Sequence, residues 1–281
     1  MERVSLWDGS AVLRADAPRE SLVAAVEMNL AARVRFFAAE PGARLVDDGE
    51  SQRFINSRVY RVSCARFAAD DADARIAALL EEARRRPRIV TWVVGPVSRP
   101  ADLVRRLQRQ GFFLDMQEPG MAVALAHLTP PPPSAFTDSL QFTRIDLSDP
   151  AEMNTFNTVA SASFRRPVSL GPQLRRVVSA LGSAHPHLDA IRLYLARLPS
   201  GEAVATLCTF VGAGAVGVYT VGTLPPYQRR GVASALTYHA LMAAYGEGLQ
   251  VGVLQASEQG QGVYRRLGFD RVCQVMWLST Y

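Results

Sequence analysis

The stretch Val221-Gly222-Thr223-Leu224-Pro225-Pro226-Tyr227-Gln228-Arg229-Arg230-Gly231-Val232-Ala233-Ser234-Ala235-Leu236 decides how the chain reads. An apolar run ends near Thr223, two prolines turn the backbone, and a helix opens at a glycine followed by small residues. The expected helix continues through Leu236, Ala240 and Ala243 to about Tyr245. The first N–H groups of a helix have no partners within it, and its dipole places roughly half a positive charge at that end. Such a terminus holds a pyrophosphate on main-chain N–H groups, and Gly231 and Ala233 leave room for phosphate oxygens to approach. An ordinary helix start packing small residues on a sheet is the other reading of these letters.

Working outward, Leu140–Ile145 alternates like a strand, and Ser148-Asp149-Pro150 supplies an N-cap followed by the proline favoured at the first helical position. Met153, Phe156, Val159 and Phe164 give an apolar helix face, and a second helix over Pro172–Leu181 stops at Gly182. Ala190–Leu198 and Ala203–Val211 flank a Pro-Ser-Gly turn, a hairpin signal. A short strand around Val216–Val221, the helix from Gly231, a strand at Val251–Leu254 and a closing helix and strand complete the order β-α-α-β-β-β-α-β-α-β. Gly212-Ala-Gly214-Ala-Val-Gly217 matches GxGxxG by letter, yet it runs into a strand instead of opening a helix, so it reads as a β-turn.

Four consecutive prolines at Pro130–Pro133 mark a stiff spacer. They divide the chain into 1–128, a linker at 129–137, and 138–281. The two parts share a faint repeat. Leu103–Gln110 has helical spacing closed by Gly111-Phe112 and followed by an extended segment through Met121–Leu125; Val263–Leu267 closes on Gly268-Phe269 before the strand-like Val272–Leu278. Duplication of one mixed α/β unit is the expectation, each copy a central mixed sheet flanked by helices.

Gln228-Arg-Arg-Gly-Val-Ala233 fits the Q/R-x-x-G-x-G/A motif of the GCN5-related N-acetyltransferases (GNAT), and the strand and helix order resembles their fold. Leu254 through Phe269 resembles that family's second acyl-CoA segment. Trp92–Pro96, Arg99–Leu103 and Gly111-Phe112 are similar to the degenerate first half of tandem GNAT proteins. The resemblance implies two tandem GNAT-like domains, with a catalytic, acyl-CoA-binding second domain and a first domain lacking the CoA loop. It implies acetyl-CoA or another acyl-CoA as co-substrate, its pantetheine arm paired with the main chain of Val221, Gly222 and Thr223 and its pyrophosphate on Gln228, Arg229, Arg230, Gly231, Val232 and Ala233. Tyr264 is implied as the acid that protonates departing CoA; a phenol with an ordinary pKa near 10 is mostly protonated at neutral pH. Ser257 stands where the family often has asparagine and Gly260 where it often has alanine. Serine can still cap the turn or bond to the cofactor arm, while Gly260 and Gly262 weaken the helix start. Between the expected strand Arg58–Cys64 and helix Ala72–Glu82, the first half has no glycine and carries Asp70 and Asp71 where phosphates would sit.

The base for the amine is left open among His185, His187, His239 and a water relay through Tyr219. No metal-ligand cluster is seen. The 281 residues are 48% hydrophobic and 20% charged, the balance of folded domains. No apolar run nears the roughly 20 residues that span a bilayer, and Met1–Asp8 has no leader pattern. Cys64, Cys208 and Cys273 are far apart and read as small core residues of a cytoplasmic protein. Every basic residue is arginine; 31 basic against 26 acidic side chains give +5, a field that suits an anionic ligand. The arginine runs (84–86, 165–166, 175–176) lack interleaved aromatics and read as solvated faces rather than nucleic-acid contacts. The expected reaction is therefore N-acyl transfer, acetyl first, to an amine of a small molecule or peptide. A longer acyl donor, or a non-catalytic acyl-CoA sensor or scaffold, are the alternatives.

Overall fold

The computed structural model describes residues 8–85 and 89–280. Met1–Trp7, on which the leader reading mostly fell, and Arg86 of the arginine triplet lie outside them. The first half runs α1 (Arg19–Phe36), β1 (Arg44–Asp47), β2 (Gln52–Ile55), β3 (Val59–Ser63), α2 (Ala72–Arg84), β4 (Ile89–Val94), α3 (Leu103–Arg109) and β5 (Phe113–Ala124). After the prolines come α4 (Ala135–Asp138), β6 (Gln141–Arg144), α5 (Pro150–Phe164), α6 (Leu170–Leu181), β7 (Ile191–Arg197), β8 (Ala203–Gly212) and β9 (Ala215–Thr223). The chain then forms α7 (Val232–Gly246), β10 (Val251–Gln255), α8 (Gln261–Arg266) and β11 (Asp270–Ser279).

Among the described residues the eleven strands form one mixed sheet in the order β1-β2-β3-β4-β11-β5-β10-β9-β8-β7-β6. From β1 to β4 the pairings run antiparallel, antiparallel, parallel, and from β7 to β10 the same series repeats. The next neighbour comes from the other half in both cases: β11 lies antiparallel on β4, and β5 antiparallel on β10. The two exchanged strands pair with each other at the centre of the sheet. Each half thus completes the other's sheet, so one shared sheet stands where a separate sheet in each half was expected, because β5 and β11 cross to the other half.

Local chemistry explains the main elements. Asp149 caps α5 by accepting from the N–H groups of Ala151 and Glu152, with Pro150 at the first position. Met153, Phe156 and Val159 are buried as expected, whereas Phe164, at the end of that helix, is exposed. β7 and β8 are buried on both faces, with only Arg197 at the end of β7 half-buried, because helices cover both sides. Ala213 and Gly214, both left-handed (φ +49° and +76°), turn β8 into β9. Gly111 and Gly268 take φ of +89° and +97° after α3 and α8, and the following phenylalanine N–H donates back to Leu107 O and Tyr264 O respectively.

The helix α1 lies across the second half's strands on the same face as α5, while α7 and α8 cover the opposite face. Asn29 of α1 is buried, and its Nδ2 donates to the carbonyls of Phe210, Gly212 and Ala215. A side chain at Gly217 would put its Cβ 2.0 Å from Asn29 Oδ1, so glycine is required for this docking. No described helix is long and apolar enough to cross a membrane.

Candidate active site

The parallel strands β9 and β10 pair only where Val216, Gly217 and Val218 face Gly252, Val253 and Leu254. Beyond that point β9 continues to Thr223, while Gln255 pairs with Gly120 and Ala256 N–H donates to Pro119 O on β5. The strands therefore part, opening a cleft at their carboxyl ends, the usual place for a ligand on such a sheet. A bulge marks the parting: Thr206 pairs with Gly222 and Cys208 with Tyr219, so Thr220 and Val221 together face Leu207. Thr220 takes φ +51°, and Thr206 Oγ1 donates to its carbonyl at 3.1 Å. A bulge of this kind takes a main-chain group out of the ladder and re-aims it. Gly222 is buried beneath the end of α5, where a Cβ would meet Ser163 Cβ at 2.8 Å.

The following loop is held from within. Gln228 Nε2 donates to Thr223 O at 3.0 Å, tying its far side to the strand end. Arg229 and Gly231 are left-handed, with φ of +58° and +84°. Gly231 is the N-cap of the fifteen-residue α7, and no side chain caps that terminus. The first main-chain bond there runs from Ala235 N–H to Gly231 O. Gln228, Arg229, Arg230 and Gly231 are exposed, Val232 is buried and Ala233 half-buried. Phe136 of α4 stacks on Tyr227 and supports the Arg230 guanidinium 3.4 Å from its ring centre. An uncapped helix N-terminus behind a left-handed glycine, flanked by two arginines, fits a diphosphate.

Tyr264 lies on α8, which follows β10 in the chain. It is buried on α8, its ring edge-on to Phe269 at 5.8 Å. Burial first, and then the charge of Glu118, push its phenol well above the ordinary range, so it is protonated at neutral pH. Ser257 Oγ accepts from Gly260 N–H at 3.2 Å, capping the turn into α8. Gly260 has little room to spare: a Cβ would lie 3.2 Å from both Tyr264 Cε2 and Ser257 Oγ.

Glu118 was not singled out by sequence reasoning. It sits on β5 opposite Val275 of β11, and Trp277 Nε1 donates to its Oε2 at 3.1 Å. Burial raises its pKa above the ordinary carboxylate value, against the opposing effects of the Trp277 bond and the Arg166 charge. A carboxylate with a raised pKa, held at one oxygen just beyond the end of the β10 pairing, is suited to take a proton.

Residues 135–254 match the family model described as "Acetyltransferase (GNAT) domain". That segment lies within the second half of the chain, which is thus similar to GNAT domains. The whole fold is similar to solved structures of this group. A GCN5-related N-acetyltransferase from Kribbella flavida has a TM-score of 0.66 at 18% identity, covering 91% of this chain and 95% of that one. One from Sphaerobacter thermophilus has 0.59 at 18%, covering 96% and 94%. A tandem GNAT protein from the clavulanic acid biosynthesis pathway has 0.57 at 15%, covering 95% and 96%. No curated protein matches the chain.

Within the second half His185, His187 and His239 lie away from the parted strands. His185 and His187 precede β7 at the end of the sheet opposite the parted strands, where His185 Nδ1 accepts from His187 N–H. His239 packs between Phe142 and Tyr194, toward the β6 edge. Tyr219 does face the cleft region, but its hydroxyl donates to Asn29 Oδ1 at 2.7 Å and burial raises its pKa, so its proton is committed to the α1 contact. Among the described residues no group of three or more His, Cys, Asp or Glu is placed to hold a metal.

The corresponding place in the first half is built differently. Arg99 N–H donates to Ala65 O at 2.7 Å and Phe67 N–H to Arg99 O at 3.3 Å, lacing the gap beyond β3 and β4. Glu27 of α1 fastens the same segment, accepting from Val97 N–H and Ser98 Oγ. A cavity of about 970 Å³ lies against this laced segment, lined by Glu20, Val23, Arg66, Val97 and Arg99 among others.

Proposed function

We propose that the GNAT domain transfers an acyl group, acetyl first, from acyl-CoA to the amine of a small molecule or peptide. The observation that carries this reading is the uncapped N-terminus of α7, opening at left-handed Gly231 beside the parted strands. In this reading the main chain of Val221, Gly222 and Thr223 aligns the pantetheine arm as an added strand would, and residues 228–233 hold the diphosphate. The bulged Val221 N–H polarises the thioester carbonyl, a one-donor oxyanion hole. Glu118 takes a proton from the incoming ammonium, the amine nitrogen bonds to the carbonyl carbon, the carbon–sulfur bond breaks as the departing sulfur takes the phenolic proton of Tyr264, and the second proton released by the nitrogen as the amide forms restores the phenol. Ser257 orders the turn that presents Tyr264. The first half lacks a site of its own for CoA and instead supplies Glu118 through the exchanged strand β5. With three free cysteines, the reading includes a reducing, cytoplasmic setting. Release of free CoA from acetyl-CoA, measured with a thiol reagent across a panel of amines and with acyl chains of increasing length, tests it. Turnover with at least one amine supports the proposal; binding of acetyl-CoA without turnover of any amine contradicts it.

A further inference from the structure

Two half-buried arginines from the first half have no acidic partner among the described residues. Arg33 of α1 lies over the rings of Tyr219 and Phe37, at 4.7 and 5.2 Å, and its Nε is buried with no hydrogen-bond partner. Arg61 of β3 lies 5.4 Å over the ring of Trp277, and its Nε reaches Thr91 Oγ1 at 3.4 Å. Neither forms an ion pair among the described residues. Other half-buried arginines behave differently: Arg53, Arg106 and Arg197 are each neutralised by one or two carboxylates. Burying a guanidinium is costly unless a counter-charge accompanies it. Here two such groups are near enough to repel each other, and burial with that repulsion lowers Arg61 to about 10. Planar guanidinium forks resting on aromatic faces are preorganised for a carboxylate.

Their position relates them to the chemistry. Tyr219, under Arg33, immediately precedes the bulged pair Thr220 and Val221. Trp277, under Arg61, is the residue whose indole N–H holds Glu118. Tyr219 and Trp277 pack on the α1 face of the sheet, opposite α7 and Tyr264. Arg61 and Glu118 thus both contact one indole, and Arg33 is near enough to Arg61 to repel it.

We infer that the acceptor is an amino acid, its ammonium set at Glu118 and its carboxylate between Arg33 and Arg61. The inference rests on the proposed acyl transfer and names its acceptor class. It also gives the first half a role in selecting the acceptor, since both arginines and Glu118 belong to it.

The test compares glycine, β-alanine and L-phenylalanine, each beside its carboxamide, in two assays of the full chain: CoA release from acetyl-CoA, and saturation-transfer NMR of each compound with the cofactor-free protein. The expected result is a preference for the acid over its amide of about 10- to 100-fold in kcat/KM, the scale of charge-assisted hydrogen bonds. Arg33→Met and Arg61→Met should remove that preference while leaving the KM for acetyl-CoA within about twofold and the melting temperature unchanged or higher. Arg61→Lys should keep part of the preference. Equal use of acid and amide, an equal loss on both in the variants, or better use of a phosphate-bearing amine such as phosphoethanolamine would overturn the inference. Should no amine release CoA, the NMR arm decides alone: acid-selective binding that the methionine variants abolish supports the acceptor class even as acyl transfer fails, and absence of binding by the acids overturns it.

Discussion

The two halves end the same way and finish with different chemistry. Both close a helix on a left-handed glycine followed by phenylalanine, with the phenylalanine N–H returning to the carbonyl five residues earlier. That residue is Tyr264 in the second half and Leu107 in the first, where it is fully buried in an apolar core. In the second half β9 and β10 part and a bare helix terminus faces the gap; in the first, the equivalent gap is laced by Ala65, Phe67 and Arg99 and fastened by Glu27. The helix following it begins behind Asp71 rather than a glycine. One backbone plan therefore supports parted strands or a laced joint, according to a few side chains and one left-handed turn.

The largest difference should come from the paired positions Tyr264 and Leu107. Tyr264→Phe keeps the ring against Phe269 and removes the proton donor, so kcat should fall by about 10²- to 10⁴-fold while acetyl-CoA affinity stays within about twofold. Leu107→Ala should do the reverse, lowering stability by about 2–5 kcal/mol with little effect on kcat of the folded fraction. Steady-state kinetics beside thermal melts would separate the two.

Next is the turn itself. Gly231→Val forces a β-branched residue to φ +84° against Thr137 Cγ2, which a Cβ would already approach to 3.3 Å. Strain of about 1–3 kcal/mol at the diphosphate loop should weaken acetyl-CoA binding by about 10- to 100-fold in titration. Asp71→Ala, at the head of the first half's helix, should leave that affinity unchanged.

A smaller effect concerns the fastening of the first half. Glu27→Ala leaves the Val97 N–H and Ser98 hydroxyl unsatisfied and should cost about 1–3 kcal/mol without altering KM for acetyl-CoA. Burial raises the Glu27 pKa above its ordinary 4.5, so the folded protein binds this proton more tightly than the unfolded chain does. Its contribution is thus fully present below the ordinary value and declines as pH rises toward the raised one. Thermal melts across that range should show this decline in the parent and lose it in Glu27→Gln.

The smallest effect is a displacement of the pH profile. On the proposed mechanism Glu118 acts as the ionised base, so kcat should fall as pH drops through its raised pKa, placing the acidic limb above the ordinary carboxylate value. Trp277→Phe removes a bond that favours the ionised form and should move that limb to still higher pH; a limb that does not move would separate Glu118 from the reaction.

Much of this was legible in the letters, for physical reasons. The order of elements in the second half followed from caps, turn residues and apolar spacing, and the prolines and Gly231 announced the loop that precedes α7. The helix α1 was not visible because its inward positions include Glu27, Asn29 and Arg33, which break the apolar stripe that marks a packed helix. The exchange of β5 and β11 was hidden because both follow the same Gly-Phe closure, and nothing local states which sheet a strand will join. Glu118 lies in the mostly exposed start of a strand, Asp115-Met-Gln-Glu118, and acquires its character only when β11 brings Trp277 against it. The unusual charge of Arg33 and Arg61 likewise depends on what surrounds them.

The central claim is that this interlocked pair of halves holds one acyl-CoA, gripped at the start of α7. Titration calorimetry of the whole chain with acetyl-CoA measures it directly. The account predicts one molecule bound per chain, with binding strongly weakened by Gly231→Val and preserved in Asp71→Ala. Two molecules per chain, or one whose affinity ignores the change at Gly231, would contradict it.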